Sequence, residues 1–220
     1  MSANVGRVAV IVPAFNEEGQ IGRVLEVLTR AKIVDEVVVI NDGSSDNTSQ
    51  VAKSYGAKVI EHEQNSGKGA SIQTGIDNVD AEIIMFIDAD LVGLKEEHIN
   101  SMVKPLEEDP ELMMTVGKFI GGRARTDLAQ AFVPSISGQR AVKKEFLKEL
   151  PDLNDTGFGV EVVITQHAKK HKMKTKEVLI PEVTQVMKEE KMGILGGVKA
   201  RFKMYGDIAK QMVPKKERDD

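Results

Sequence analysis

Two hydrophobic rhythms alternate along the first part of this chain. Short apolar runs at Val8–Val12, Glu36–Ile40, Lys58–Glu61 and Ile83–Ile87 read as strands, and the first lacks polar alternation, so it is expected to be buried on both faces. Between them lie segments of helical spacing. One opens at Asn16–Glu18 and carries Ile21, Val24, Leu25 and Leu28; the others are Thr48–Tyr55, ended by Gly56, and Lys68–Asn78. Strands alternating with helices predict parallel βαβ units with right-handed crossovers and a sheet covered on both sides.

Beyond Asp90 the rhythm loosens. A helix is expected over Glu96–Glu108, a strand over Met113–Phe119, and a loop over the Gly/Arg/Thr/Pro-rich stretch Gly121–Gly138. Helices are expected at Gln139–Leu150 and Val160–Lys170, separated by the turn-rich PDLNDTGFG, and a late strand at Lys174–Ile180. From Ile194, the residues Leu195, Val198, Phe202, Tyr205, Ile208 and Met212 continue one helical face, flanked by Lys199, Arg201, Lys203, Lys210, Lys215 and Lys216. Such a helix can lie on an anionic membrane surface or pack on the domain or a second subunit of a homodimer, and packing is the commoner use of an apolar stripe.

With 220 residues the chain accommodates a single domain, expected as a first half at 1–92, a second at 93–190 and a C-terminal helix and tail at 191–220. A net charge of −4 gives no general electrostatic case for nucleic acid. The absence of cysteine removes disulfides and thiolate metal sites. No apolar run approaches the roughly 20 residues of a membrane span. Without a secretory signal pattern the expected compartment is the cytoplasm, with contact at the inner face of the membrane as the variant raised by the C-terminal helix.

The chemistry gathers at the carboxyl ends of the strands. Asp88 and Asp90 close the run IIMFIDAD, and their spacing allows both to project the same way from a strand end, where open α/β sheets bind ligands. Loops PAFNEE, NDGSSDNT and EQNSGKG leave the first three strands. Each alone is weak, since Asp42 also suits a plain Asx turn and Lys68 a solvated helix start. NSGKG lacks the spacing of a P-loop, and Gly157 and Gly159 lack the third glycine of a dinucleotide fingerprint. His62, His98, His167 and His171 are scattered over expected loops and helix faces without ligand spacing, and read as structural or solvated.

Taken in order, PAFNEE, NDGSSDNT, NSGKG and FIDAD resemble the nucleotide-sugar-binding half of family-2 glycosyltransferases. ISGQRAV and TGFGVE are similar to acceptor-side segments of dolichyl-phosphate-sugar synthases and glucosyl-3-phosphoglycerate synthases. The resemblance implies the GT-A fold, an α/β, Rossmann-like, mostly parallel central sheet with helices on both faces. It implies transfer of a sugar from a nucleoside diphosphate, UDP ahead of GDP, to a polyprenyl phosphate or a small phosphorylated or hydroxylated metabolite. Pro13, Ala14, Phe15 and Glu17 would line the nucleoside, Asp42 would meet the base, and Lys68 would lie beside base or diphosphate. Asp88, with Ala89, would reach ribose or sugar, and Asp90 would be the principal ligand of Mg²⁺ or Mn²⁺.

Family members often complete that metal site with a histidine where this chain has Gln185, an acceptable oxygen donor to Mg²⁺ and a weaker one to Mn²⁺. For a hydroxyl acceptor, Asp155 and Glu161 are candidate general bases. For a phosphate acceptor, Lys118, Arg123, Arg125 and Arg140, the last beside Gly138, are candidate clamps. Two competing readings stay open. One is a nucleotide-binding regulatory or scaffold protein without turnover, motivated by Gln185. The other is a nucleotidyltransferase, which ranks last because PAFNEE lacks a glycine-rich loop with an arginine.

Overall fold

The computed structural model describes residues 6–120 and 137–185, with Gly206. The C-terminal helix expected at 191–220, with its membrane and dimer readings, and most of the loop Gly121–Gly138 therefore lie outside the described residues.

Seven strands form the main sheet: β1 (Val8–Ala14), β2 (Glu36–Asn41), β3 (Lys58–Glu61), β4 (Ile83–Phe86), β6 (Leu112–Ile120), β7 (Arg140–Lys143) and β8 (Lys174–Pro181). Their order is β3-β2-β1-β4-β7-β6-β8, and β7 alone runs against its neighbours. This is the mostly parallel α/β sheet of the GT-A fold. Two short strands, β5 (Leu91–Val92) and β9 (Thr184–Gln185), pair antiparallel beside it and were not foreseen.

Alternation along the central strands builds two apolar layers. Val8, Val10 and Val12 of β1 face the layer completed by α1 (Ile21–Leu28), α2 (Thr48–Ser54) and α4 (Glu96–Glu108). Ala9 and Ile11 face the opposite layer, which is closed by α3 (Lys68–Asp77), α5 (Lys144–Lys148) and α6 (Val160–Lys170). Because successive side chains point to opposite faces, strands apolar at every position require helices on both sides. Gly75 lets α3 lie directly on β1, since a Cβ there would come 2.5 Å from Ile11 Cγ2.

Two expectations need correction. The helix after β1 begins at Ile21 rather than at Asn16–Glu18. The backbone N–H groups of Asn16, Glu17 and Glu18 are instead donated to Ser44 Oγ, Thr48 Oγ1 and Asp46 Oδ2 in the loop after β2. The expected helix Gln139–Leu150 divides into β7 and the short α5. Its first half fills the gap between β4 and β6, with Phe86 opposite Arg140 and Val116 opposite Arg140. Ladder bonds on both sides outweigh the local helical preference of the sequence.

Candidate active site

Asp88 lies just past the end of β4, on the face shared by Ile84 and Phe86, and it is the hub of a buried polar cluster. Its Oδ1 accepts from Lys68 Nζ at 2.6 Å, and its Oδ2 accepts from Gln139 Nε2 at 2.9 Å and Gln185 Nε2 at 2.6 Å. Lys68 opens α3 and also donates to Glu161 Oε1 at 2.6 Å. Burial opposes a charge on Lys68, but the two carboxylates outweigh it and hold the ammonium well above the ordinary lysine value of 10.5. Glu161 sits in the first turn of α6, where the helix dipole also favours an anion.

Close backbone packing brings α3 and α6 together. The turn Asn154–Gly159 lies against the start of α3, and a Cβ on Gly69 would overlap Thr156 Oγ1 and the carbonyl of Leu153. Gly157, at φ 54° and ψ −130°, supplies a backbone bend that disfavours L side chains. The PDLNDTGFG stretch is therefore the seat that aims Glu161 at Lys68. At Gly138 a Cβ would stand 2.6 Å from Asp88 Oδ2 and 2.7 Å from Lys68 Nζ. Glycine there lets the backbone pack directly against Asp88 and Lys68.

The loops after β1 and β2 are laced together. Ser45 N donates to Asn16 Oδ1 at 2.9 Å, and Asn47 N donates to Glu18 Oε2 at 2.9 Å. Asn16 adopts φ 55°, a left-handed conformation that asparagine tolerates. Asp42 braces the third loop: its Oδ1 accepts from Ser66 N and its Oδ2 from Gly67 N, both at 2.8 Å. His62 Nδ1 adds a 2.8 Å bond to Asp42 Oδ1, while His62 Nε2 meets Thr74 Oγ1 on α3 at 2.9 Å. The same Gly67 precedes Lys68, so Asp42 fixes where α3 begins and where its lysine points.

Of the residues expected at the site, Asp88, Lys68, Glu161, Gln185 and Gly138 come together. Pro13 and Ala14 end β1, Phe15 is 44% exposed beyond them, and Glu17 donates its N–H to Thr48. Ala89 is buried and Asp90 is partly buried next in the chain. Asp155 is exposed on the turn, and Lys118 pairs with Glu177 at 3.4 Å. Arg123 and Arg125 lie outside the described residues.

Arg140, a candidate clamp for a phosphate acceptor, is buried rather than open to solvent. Its side chain is 1% exposed, donating from Nε to the Ser137 carbonyl at 3.0 Å. Burial lowers its pKa to about 10 against the opposing pull of Glu161. Gln139, its neighbour on the way into β7, reaches Asp88 instead. Reading Gln139–Lys143 as a helix hid this residue; the period-two alternation of a strand puts Gln139 and Arg140 on opposite faces.

β9 returns Gln185 to the site by pairing it with Leu91, the residue after Asp90. A carboxylate only accepts hydrogen bonds, so the Gln185 amide nitrogen faces Asp88 and its Oε1 remains as an oxygen donor. Asp88, Asp90 and Gln185 carry oxygens of the kind Mg²⁺ and Mn²⁺ take and are the residues that could hold such an ion.

The family model described as glycosyl transferase family 2 matches residues 9–167. An uncharacterised protein of Methanocaldococcus jannaschii is 31% identical over 91% of this chain and 92% of its own length. Glucosyl-3-phosphoglycerate synthase of Petrotoga mobilis is 28% identical over 71% of this chain, and the match spans 58% of that relative. Crystal structures of glucosyl-3-phosphoglycerate synthase from Mycobacterium tuberculosis superpose with a TM-score of 0.74, at 23% identity, over 96% of this chain. One of those structures holds Mn²⁺, UDP and glucosyl-3-phosphoglycerate and covers 82% of its chain; the other holds Mg²⁺ and UDP and covers 81%. With the family model matching residues 9–167 and the strand order agreeing in fold, this chain belongs to glycosyl transferase family 2.

Proposed function

We infer that this chain transfers a sugar from a UDP-sugar to a small phosphorylated acceptor of the phosphoglycerate type, with Mg²⁺ or Mn²⁺ as its cofactor. The observation that carries the reading is the Lys68 ammonium held between Asp88 and Glu161 where the donor loops converge. One ammonium between two carboxylates leaves the cluster net negative, so it suits a diphosphate together with a divalent cation, as negative charge grows when the sugar leaves. Asp90, Asp88 and Gln185 are the residues that would hold the cation, and when bound it neutralises charge on the departing nucleoside diphosphate. The acceptor class follows the names of the relatives, of which this chain spans 58% in the Petrotoga mobilis case.

Glu161 has a second consequence for the chemistry. Its Oε1 is held by the Lys68 ammonium at 2.6 Å. Its role in this reading is to position Lys68. Asp155, exposed on the turn beside it, remains the candidate base for a hydroxyl acceptor.

The test measures melting temperature with UDP-glucose and GDP-mannose, each with and without Mg²⁺ or Mn²⁺, followed by UDP release with 3-phosphoglycerate or a polyprenyl phosphate. The expected result is metal-dependent stabilisation by the UDP-sugar and release that 3-phosphoglycerate accelerates and Asp90→Ala abolishes. Release stimulated only by the polyprenyl phosphate would overturn the acceptor. Binding without release would favour the regulatory reading, and no stabilisation by any nucleotide would overturn both.

A further inference from the structure

At the far end of α6, about 15 Å of helix from Glu161, His167 and His171 lie on one face at i, i+4 spacing. Glu149, which caps the end of α5, stands against them. One ring nitrogen of each histidine and one carboxylate oxygen of Glu149 lie within 4.8 Å of one another. The two imidazoles stack with centroids 4.3 Å apart, and Phe146 of α5 meets His167 edge-on at 5.8 Å. His167 Nε2 is buried and has no hydrogen-bond partner among the described residues, which buried polar atoms rarely tolerate.

We propose that Glu149, His167 and His171 bind a borderline divalent transition ion, zinc being the probe, which fastens the end of α5 to the end of α6. Two imidazoles and one carboxylate are a donor set that zinc accepts, with a fourth position left to water. Hard cations such as Mg²⁺ prefer all-oxygen sites, so this centre is chemically separate from the strand-end carboxylates. The carboxyl end of a helix also favours a cation.

Tetrahedral bonds of about 2.0–2.1 Å place donors roughly 3.3 Å apart, closer than the 4.8 Å limit seen here. Exposed His171 and Glu149 can close that gap by turning their side chains. Lys170 opposes the cation, as its effect on His167 shows, while Glu149 acts in the opposite sense.

The test uses the full chain stripped with EDTA, dialysed against ZnCl₂ in the presence of excess MgCl₂, and compares the wild type with His171→Ala and Glu149→Gln. The wild type is expected to take up one zinc more than His171→Ala, to melt higher with zinc, and to show visible absorption bands of a four-coordinate site with Co²⁺. Glu149→Gln is expected to weaken zinc binding at least roughly tenfold. UDP-sugar binding should be unchanged in His171→Ala, because this site is independent of the proposed donor chemistry. Equal zinc uptake in wild type and His171→Ala, or no uptake in either, would overturn the proposal.

Discussion

Asp88 and Glu161, at the end of β4 and the start of α6, each place a carboxylate oxygen 2.6 Å from the same Lys68 Nζ. The three side chains are 15%, 7% and 15% exposed in the order Asp88, Glu161, Lys68, so removing the cation leaves two poorly solvated anions facing each other. Lys68→Met is therefore expected to cost about 3 kcal/mol of stability or more. Adding Glu161→Gln should recover part of that loss, because it removes one of the two stranded charges. Urea unfolding of the wild type, both single variants and the double variant measures the coupling, and strict additivity would count against the shared cation.

Gly69 offers a test in which two backbone effects oppose each other. Glycine to alanine within a helix ordinarily stabilises by roughly 0.5–1 kcal/mol. Here the new methyl would overlap Thr156 Oγ1 and the Leu153 carbonyl, and backbone atoms yield poorly. Overpacking of about 1–3 kcal/mol should win, so Gly69→Ala is expected to melt lower and to lose UDP-sugar binding as Lys68 is displaced. An unchanged or raised melting temperature would mean that the turn Asn154–Gly159 moves aside easily.

What could be read from the sequence divides along physical lines. Strands apolar at every position, and helices such as Glu96–Glu108 and Val160–Lys170, declare themselves through periodicity, and both helices have the expected bounds. β7 did not, because its residues carry a helical pattern and become a strand only between β4 and β6. The strand-end aspartates were legible as a motif. Gln185 was placed beside them only by the family resemblance, since Glu161 meets a lysine 93 residues away and Gln185 an aspartate 97 residues away, separations that no local pattern encodes. His167 and His171 read as structural or solvated in the sequence, and Glu149 joins them only when α5 packs beside α6.

Gln185→His should alter metal preference without dismantling the cluster. The glutamine gives an N–H to Asp88 at 2.6 Å and keeps an oxygen for a cation. A neutral imidazole can do both tasks as well, donating its N–H to Asp88 and offering the other nitrogen to the metal. Nitrogen suits Mn²⁺ better than Mg²⁺, so half-saturating Mn²⁺ in a UDP-release assay is expected to fall roughly tenfold while that of Mg²⁺ stays level or rises. Parallel shifts for both ions would mean that Gln185 only orients Asp88.

His98 gives the fold a pH dependence whose sign follows from its surroundings. It is 3% exposed in the first turn of α4, and its Nδ1 accepts the Lys95 N–H at 3.1 Å, a bond that the protonated ring cannot make. Burial pushes its pKa below the ordinary 6.5. As pH falls past about 6.5 the unfolded chain takes up the proton first, so stability declines until the folded pKa is passed. His167, also held down by burial, adds a slope of the same sign. Glu61, which the Ser49 hydroxyl holds below its ordinary 4.5, loses its contribution at lower pH and leaves this window clear. His98→Gln keeps an acceptor for the Lys95 N–H and has no proton to take up. Urea midpoints from pH 7.5 to about 5.5 should therefore fall less steeply in His98→Gln than in the wild type, and identical slopes would place the titration elsewhere.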